Sequence, residues 1–555
     1  MDNVQFGTPA IKNGLTRREF IGACAGSTAL LSLSGCGSLF SNNGSNGNKS
    51  GTLRTYVEGE IPDLNSITAT DLFSFSVLSN ISEGLYRLDE NERPVPAMAS
   101  DVEISEDQLL YTFTLRDGVQ WSDGEPVSAE NFRYAWLRAM HPDTAGQYGY
   151  LIADFVEGGA EFSAGEVEED AVAVTVTADR TLEVRLLNPT PFFLGLTALP
   201  VYFPLKQSFV ERQGQDFASG PQSLLYNGPY TLQEFNSAEG ALLQKNRNYW
   251  DSDNVAIDAI DLRVITEADT ALNLYESGEL DTVRLSSEQA DQYGQSPDFV
   301  EIPEFGSYYT VFNTKDPALS NKNIRQALQL GFARQVYVRS VLGDASITAG
   351  GAVPEGVSGP GKQTFREFAG GEPVGAFDPE AARELWQRGV EELGNEPSLQ
   401  LLTTDNTSGR DTAIFLQGQY RQNLGAEVEI DVQPFDAALQ RQQRGEFQIG
   451  CASGWGADYN DAMTFLDLWT SDSEFNLAGF ENSDYDRLIA EATQEANEED
   501  RAEMLVEAER ILLEEGAALA PTHYRVRVGM DKPRVQNPVR HPYGAELDFK
   551  YWRLS

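Results

Sequence analysis

Cations, histidine and cysteine are all scarce in this chain of 555 residues. Lysine and arginine together number 41 against 85 aspartates and glutamates, a formal net charge of −44. Only nine of those cations are lysine, which leaves 32 arginines. No basic patch is present to neutralise phosphates, which argues against a nucleic-acid partner. The three histidines, His141, His523 and His541, are far apart, and neither H-E-x-x-H nor G-x-S-x-G occurs. A secreted hydrolase is therefore the weaker functional reading, and the chain reads as a non-enzyme. No G-x-x-x-x-G-K-[ST] loop is present, so nucleotide hydrolysis, if coupled to this protein, happens on another chain. Nothing in the residue pattern calls for a cofactor or a metal. Of three cysteines, Cys24 and Cys36 fall near the start and Cys451 alone lies in the body. A body with one cysteine has no internal disulfide.

Long apolar runs are also missing. The longest, Ile21 to Leu33, is rich in glycine and serine and too short to span a bilayer stably. It follows Thr16-Arg17-Arg18-Glu19-Phe20-Ile21, a twin-arginine pattern, and leads into Leu33-Ser34-Gly35-Cys36, which resembles a lipobox. Residues 1–36 thus read as a twin-arginine lipoprotein signal, with Arg17 and Arg18 as the export determinant and Cys36 as the lipidation site. Residues 37–51 contain almost nothing that could form a core and read as a flexible tether. The expectation is a soluble, monomeric body leashed by lipid to the outer face of the cytoplasmic membrane.

Acid is spread along the whole chain rather than gathered in a tail. Such self-repulsion destabilises a compact fold in dilute buffer. At about 1 M salt the Debye length falls to roughly 3 Å and most of it is screened. The composition therefore points to a halophilic protein. At 41% hydrophobic residues the chain can bury several cores, so two or three lobes are expected.

Strand-like and helix-like stretches alternate, an α/β pattern with mixed sheets. Leu110 to Leu115 alternates as a strand, and Trp121-Ser122-Asp123-Gly124 supplies turn chemistry. Ser128 offers a cap before Phe132, Ala135, Trp136 and Ala139, which share a helical face. Tyr226-Asn227-Gly228-Pro229 opens a hairpin, Tyr230 to Phe235 and Ala241 to Lys245. Ile324, Ala327, Leu328 and Gly331 form a helical stripe, and Asp378-Pro379-Glu380 has the cap, proline and acid of a helix start. Leu424-Gly425 ends another helix before the alternating Val428, Ile430 and Val432, and Asp484 to Glu515 reads as two acidic amphipathic helices. Asn80-Ile81-Ser82 and Asn406-Thr407-Ser408 fit the glycosylation acceptor pattern.

The most informative stretch is Gly450 to Ala462, G-C-A-S-G-W-G-A-D-Y-N-D-A, which follows the apolar strand tip Phe447-Gln448-Ile449. Gly454 and Gly456 flank Trp455 and allow backbone to approach a ligand. Asp458, between Trp455 and Tyr459, is a carboxylate in aromatic surroundings and suits a cation such as a peptide α-ammonium. Alternatively the stretch is a tight strand-to-helix turn in which Asp458 caps the next helix.

From about Gly51 to its end the chain resembles the extracytoplasmic solute-binding proteins of peptide ABC transporters, the dipeptide/oligopeptide or family 5 type. The resemblance is carried in order by Glu83-Gly84-Leu85, by Trp121 to Gly124 with Ser128 to Phe132, and by Tyr226-Asn227-Gly228-Pro229-Tyr230. It continues through Lys245 to Trp250, Phe312-Asn313-Thr314-Lys315 with Ile324 to Leu328, and Gly454 to Asp461. It implies a periplasmic-binding-protein-like type II fold, two lobes closing on a ligand with an extra third lobe. Lobe I would be 52–82, 201–305 and 526–555, lobe II 83–200, and lobe III 306–525, with a hinge at Phe305 and Arg525.

The resemblance further assigns Asp458, supported by Trp455 and Tyr459, to the α-ammonium of a bound oligopeptide. Tyr309 matches a groove-lining position, with a core aromatic as the alternative, and Phe435 matches a side-chain pocket. One departure is Ala452, where close oligopeptide binders carry a carboxylate-pairing arginine. Arg410 could substitute, or it is simply a solvated arginine at a helix start. The implied partners are a peptide and an ABC permease with its ATPase subunits. A metal chelate or oligosaccharide bound by the same fold is the nearer rival, since fold alone does not separate cargoes.

Overall fold

The computed structural model describes residues 51–555 except 145 and 371–373. Arg17, Arg18, Cys36 and tether residues 37–50 lie outside the described residues. Among the described residues no helix is long and apolar enough to cross a membrane.

Three sheets carry the architecture. In Leu110–Leu115 the period-two pattern buries Tyr111, Phe113 and Leu115. That strand forms an antiparallel four-stranded sheet with Ala99–Ile104, Thr181–Arg185 and Val174–Ala178. Helix Ala129–Met140 begins at Ser128 and buries Phe132, Ala135, Trp136 and Ala139. A second sheet pairs Thr52–Val57 in parallel with Ala259–Val264, and then adds the hairpin Gly240–Lys245 and Tyr230–Asn236.

The third sheet has seven strands. Its main path runs 282–284, 519–531, 299–312, 449–456, 399–404, 428–433, and Ile347–Thr348 pairs with 519–531. The first four strands on that path are antiparallel neighbours, whereas Leu399–Thr404 is parallel to both of its own. Helices Pro379–Leu393 and Thr407–Leu424 start and stop where cap chemistry dictates. Asp378 accepts from the N–H groups of Glu380 and Ala381, and Gly425 closes the second helix at φ +78°. The stripe Ile324, Ala327, Leu328 lies in helix Lys322–Leu330, fully buried. The two acidic helices are Ser483–Gln494 and Glu498–Arg510, the latter prolonged by a π turn, Ile511–Glu515.

Three of the six resemblance segments meet at one buried carboxylate. Glu83 is 1% exposed. Its Oε1 accepts from Arg87 Nη1 at 2.9 Å and from the Tyr249 hydroxyl, and its Oε2 from Trp250 Nε1 at 2.6 Å. Its backbone exchanges two hydrogen bonds with the Asn227 amide, at 3.2 and 2.9 Å. Arg87 also grips Asp548 with Nε and Nη2, at 3.0 and 2.6 Å, and His541 lies between Asp548 and Glu92. These residues span chain positions from 83 to 548, so this part of the signature is a fastening between remote segments.

The two acceptor patterns lie in different settings. Asn80 is fully buried, and its Nδ2 donates to the carbonyls of Ser76 and Leu547, so the Asn80-Ile81-Ser82 pattern does not lie on a surface loop. Asn406 instead caps the 407–424 helix, accepting from the Gly409 N–H.

Candidate ligand-binding site

The strand Ile449–Gly456 positions the site. It pairs with 299–312 at both ends, with a register shift at Cys451 and Ala452, but its other edge pairs with 399–404 only at Ile449 and Gly450. Among the described strands, none covers that second edge from Cys451 to Gly456. Backbone donors and acceptors on such an edge are a template for an added strand.

An apolar cavity of about 70 Å³ lies beside this edge. Tyr309, Phe435, Gly454 and Trp455 all line it, so these four sequence-selected residues come together. Trp455 is 6% exposed and meets Phe475 edge-on at 5.6 Å, and Tyr309 packs edge-on against Trp469 at 5.5 Å. Gly454 is required by packing as well. A Cβ there would stand 2.6 Å from the Tyr308 ring on the opposite face, whereas Gly456 has open space at that position. Ala452 lies within this strand.

Beyond the strand the chain turns through 457–462. The Ala457 N–H donates to the Phe305 carbonyl and the Asp458 N–H to Thr464 Oγ1. Asp458 is half-buried, with Oδ2 shielded, and it lines a small cavity with Phe75, Tyr148, Leu199 and Val201. The side-chain bond at the start of the next helix, Met463–Leu466, comes from Asp461, one residue before its cap position. Its Oδ1 accepts from the Met463 N–H at 2.9 Å, and Arg501 holds it with two bonds of 2.8 Å. Burial alone would lower the Arg501 pKa, and the Asp461 charge more than reverses that. This buried pair fixes the loop that carries Asp458.

Tyr459 stacks on Phe192 at 4.2 Å with the two rings nearly parallel, and meets Phe155 edge-on, so it ties the loop to the 150s and 190s. It also lines a larger cavity of about 370 Å³ together with Arg93, Lys362 and Arg501. Arg410 does not join either group. It is exposed, and its Nε donates to the Asp405 carbonyl at the start of its helix.

Residues 93–476 match the family described as bacterial extracellular solute-binding proteins, family 5. The chain belongs to that family. It is 31% identical to the dipeptide-binding protein DppE of Bacillus subtilis over 480 residues, 86% of this chain and 87% of the relative. It is 32% identical to the oligopeptide-binding protein OppA of the same organism over 514 residues, 89% and 92% of the two chains. Among solved structures, peptide-bound OppA of Listeria monocytogenes superposes with a TM-score of 0.73 at 33% identity, covering 91% of this chain and 99% of that one. The α/β, mixed-sheet architecture of this family 5 protein is therefore the type II binding-protein fold.

Sequence reasoning missed Thr403, Thr404, Leu439 and Phe475, which also line the apolar cavity of the family 5 protein. The first two sit at the carboxyl end of a parallel strand, where open α/β sheets place ligands, and that rule could have found them.

Proposed function

We propose that this family 5 protein captures oligopeptides between closing lobes and delivers them to an ABC permease. The observation that carries the reading is the uncovered strand edge from Cys451 to Gly456, with an apolar cavity beside it and a half-buried carboxylate, Asp458, just past its end. An extended peptide adds to such an edge through its main chain, which supplies affinity without reading sequence. Its α-ammonium then meets Asp458, and its side chains fall alternately toward and away from the cavity.

The closing motion is assigned to the two long strands Phe299–Phe312 and Leu519–Asp531, which cross from lobe I to lobe III near Phe305 and Arg525. Their mutual register shifts between Pro303 and Ser307, which gives the pair a natural bending point. Lobes I, II and III follow the boundaries given above. A monomeric, halophilic body of net charge −44, held by a lipidated Cys36 after twin-arginine export, would then work at the outer membrane face, with ATP hydrolysed on partner subunits.

Mass spectrometry of the material released from gently purified protein tests this reading. Peptide masses are expected. A chelate or an oligosaccharide in their place would overturn the cargo assignment, and shortened products from added peptides would reopen the hydrolase reading.

A further inference from the structure

The three residues that follow Asp458 are each fastened to a different part of the chain. The Ser358 N–H donates to Asn460 Oδ1 at 2.8 Å, and Asp461 is held by Arg501. Both of these ties stay within residues 306–525. Tyr459 reaches out of that range. It is 4% exposed, and the rings that contact it, Phe155 and Phe192, come from residues 83–200. That segment is built on its own four-stranded sheet.

The three rings form one cluster. Tyr459 and Phe192 lie 4.2 Å apart with 7° between their planes, and Phe155 meets both edge-on, 6.1 Å from Tyr459 and 5.5 Å from Phe192. The Arg501 guanidinium lies 5.9 Å from the centre of the Phe192 ring, so the cation that grips Asp461 also faces the ring that supports Tyr459. Phe155 is itself anchored. The Leu187 N–H donates to its carbonyl at 2.9 Å, and Val156 bridges to Leu186, just past the strand Thr181–Arg185.

These rings and the carboxylate lie on different sides of the turn. Phe192 and Tyr459 line the cavity of about 370 Å³, and Asp458 does not. Asp458 lines the small cavity, which Phe155, Phe192 and Tyr459 do not reach. The rings therefore act on the carboxylate through the backbone. Adjacent Cα atoms are fixed about 3.8 Å apart, so a shift of Tyr459 passes to Asp458 almost undiminished. A carboxylate that receives a ligand ammonium must be placed to within about 0.5 Å by its supports. The short helix Tyr150–Ala153 serves both sides, since Leu151 lines the small cavity and Phe155, just past the helix end, belongs to the rings.

We propose that Phe192 and Phe155 are positioning residues for ligand capture. They seat Tyr459, and through it the Asp458 carboxylate, so residues 83–200 help to recognise the amino end of the cargo from behind the turn. The proposal rests on the reading of Asp458 as the ammonium acceptor, and it adds a second segment of chain on which that recognition depends.

The test uses the full chain and an alanine pentapeptide with a free or an acetylated amino end. Both are titrated calorimetrically into wild type, Phe192→Ala, Phe155→Ala, Phe192→Leu and Phe192→Tyr. The quantity read is the ratio of free to acetylated affinity, which isolates the ammonium contact. Removing either ring should lower that ratio about 3- to 10-fold, the size of one aromatic contact. Phe192→Leu keeps apolar bulk without the ring and should lower it too, whereas Phe192→Tyr keeps the ring and should hold the wild-type ratio. In an Asp458→Asn background, Phe192→Ala should change the ratio no further. A ring that merely supports the fold weakens both peptides alike, so an unchanged ratio in Phe192→Ala and Phe192→Leu would overturn the proposal. A drop that persists in Asp458→Asn would overturn it as well. Equal binding of the two peptides by the wild type would instead take the ammonium away from Asp458, and failure of both to bind would remove the peptide reading. In either case the proposal falls with its premise.

Discussion

Replacing Arg87 by methionine tests whether the buried charge cluster holds remote parts of the chain together. Arg87 makes three hydrogen bonds to carboxylates, one to Glu83 and two to Asp548. Those carboxylates are 1% and 4% exposed. Burial alone would push the Asp548 carboxyl up, but Arg87 and His541 hold it well below the ordinary carboxylate range. Methionine keeps most of the volume and removes the charge, so it strands two buried anions. Breaking a buried pair on one side typically costs about 3–5 kcal/mol. The lower end of that range is expected here, because His541, Tyr249 and Trp250 still serve the two acids. The assay is urea denaturation followed by tryptophan fluorescence, run at low and at about 1 M salt. The loss should persist in high salt, since buried pairs are screened much less than surface ones. A loss under about 1 kcal/mol, or one that vanishes in salt, would mean that the cluster does not fasten the fold.

His541 gives a pH window. Burial opposes its charge, yet hydrogen bonds to Asp548 and Glu92 raise its pKa from 6.5 to about 9. A raised folded-state value means that the protonated form stabilises the fold. That contribution is fully present below pH 6.5 and is lost as pH rises through about 9, at most about 3 kcal/mol. Thermal unfolding of the wild type should therefore fall further between pH 6 and 9.5 than that of His541→Gln; parallel curves would refute it. Gly454→Ala forces a methyl to within 2.6 Å of the Tyr308 ring and should cost about 1–3 kcal/mol by denaturation, whereas Gly456→Ala, with open space, should cost less.

Local structure was largely legible in the sequence because its causes are local. Asp378, Gly425 and the alternation of Leu110 to Leu115 act through neighbours one to four residues away. The partners of Glu83 were not legible, since Asn227, Tyr249 and Trp250 are brought to it only by the fold, and the motifs around them carried a likeness without a reason. The candidate site divides in the same way. Asp458 and Asp461 are both acids in one turn, and what separates their roles is Arg501, 40 residues on from Asp461. Phe435 and Tyr309 were reached through the family resemblance, but Thr403, Leu439 and Phe475 join them only through strand order. The uncovered strand edge depends on where 399–404 stops pairing, a property of tertiary register that no periodicity encodes.

The most direct measurement is calorimetric titration of one peptide, with free and with acetylated amino end, into wild type and Asp458→Asn. If the carboxylate receives the α-ammonium, acetylation weakens binding to the wild type by about 2–5 kcal/mol, the substitution does the same for the free peptide, and the two losses do not add. Equal binding of free and acetylated peptide by the wild type would contradict the account.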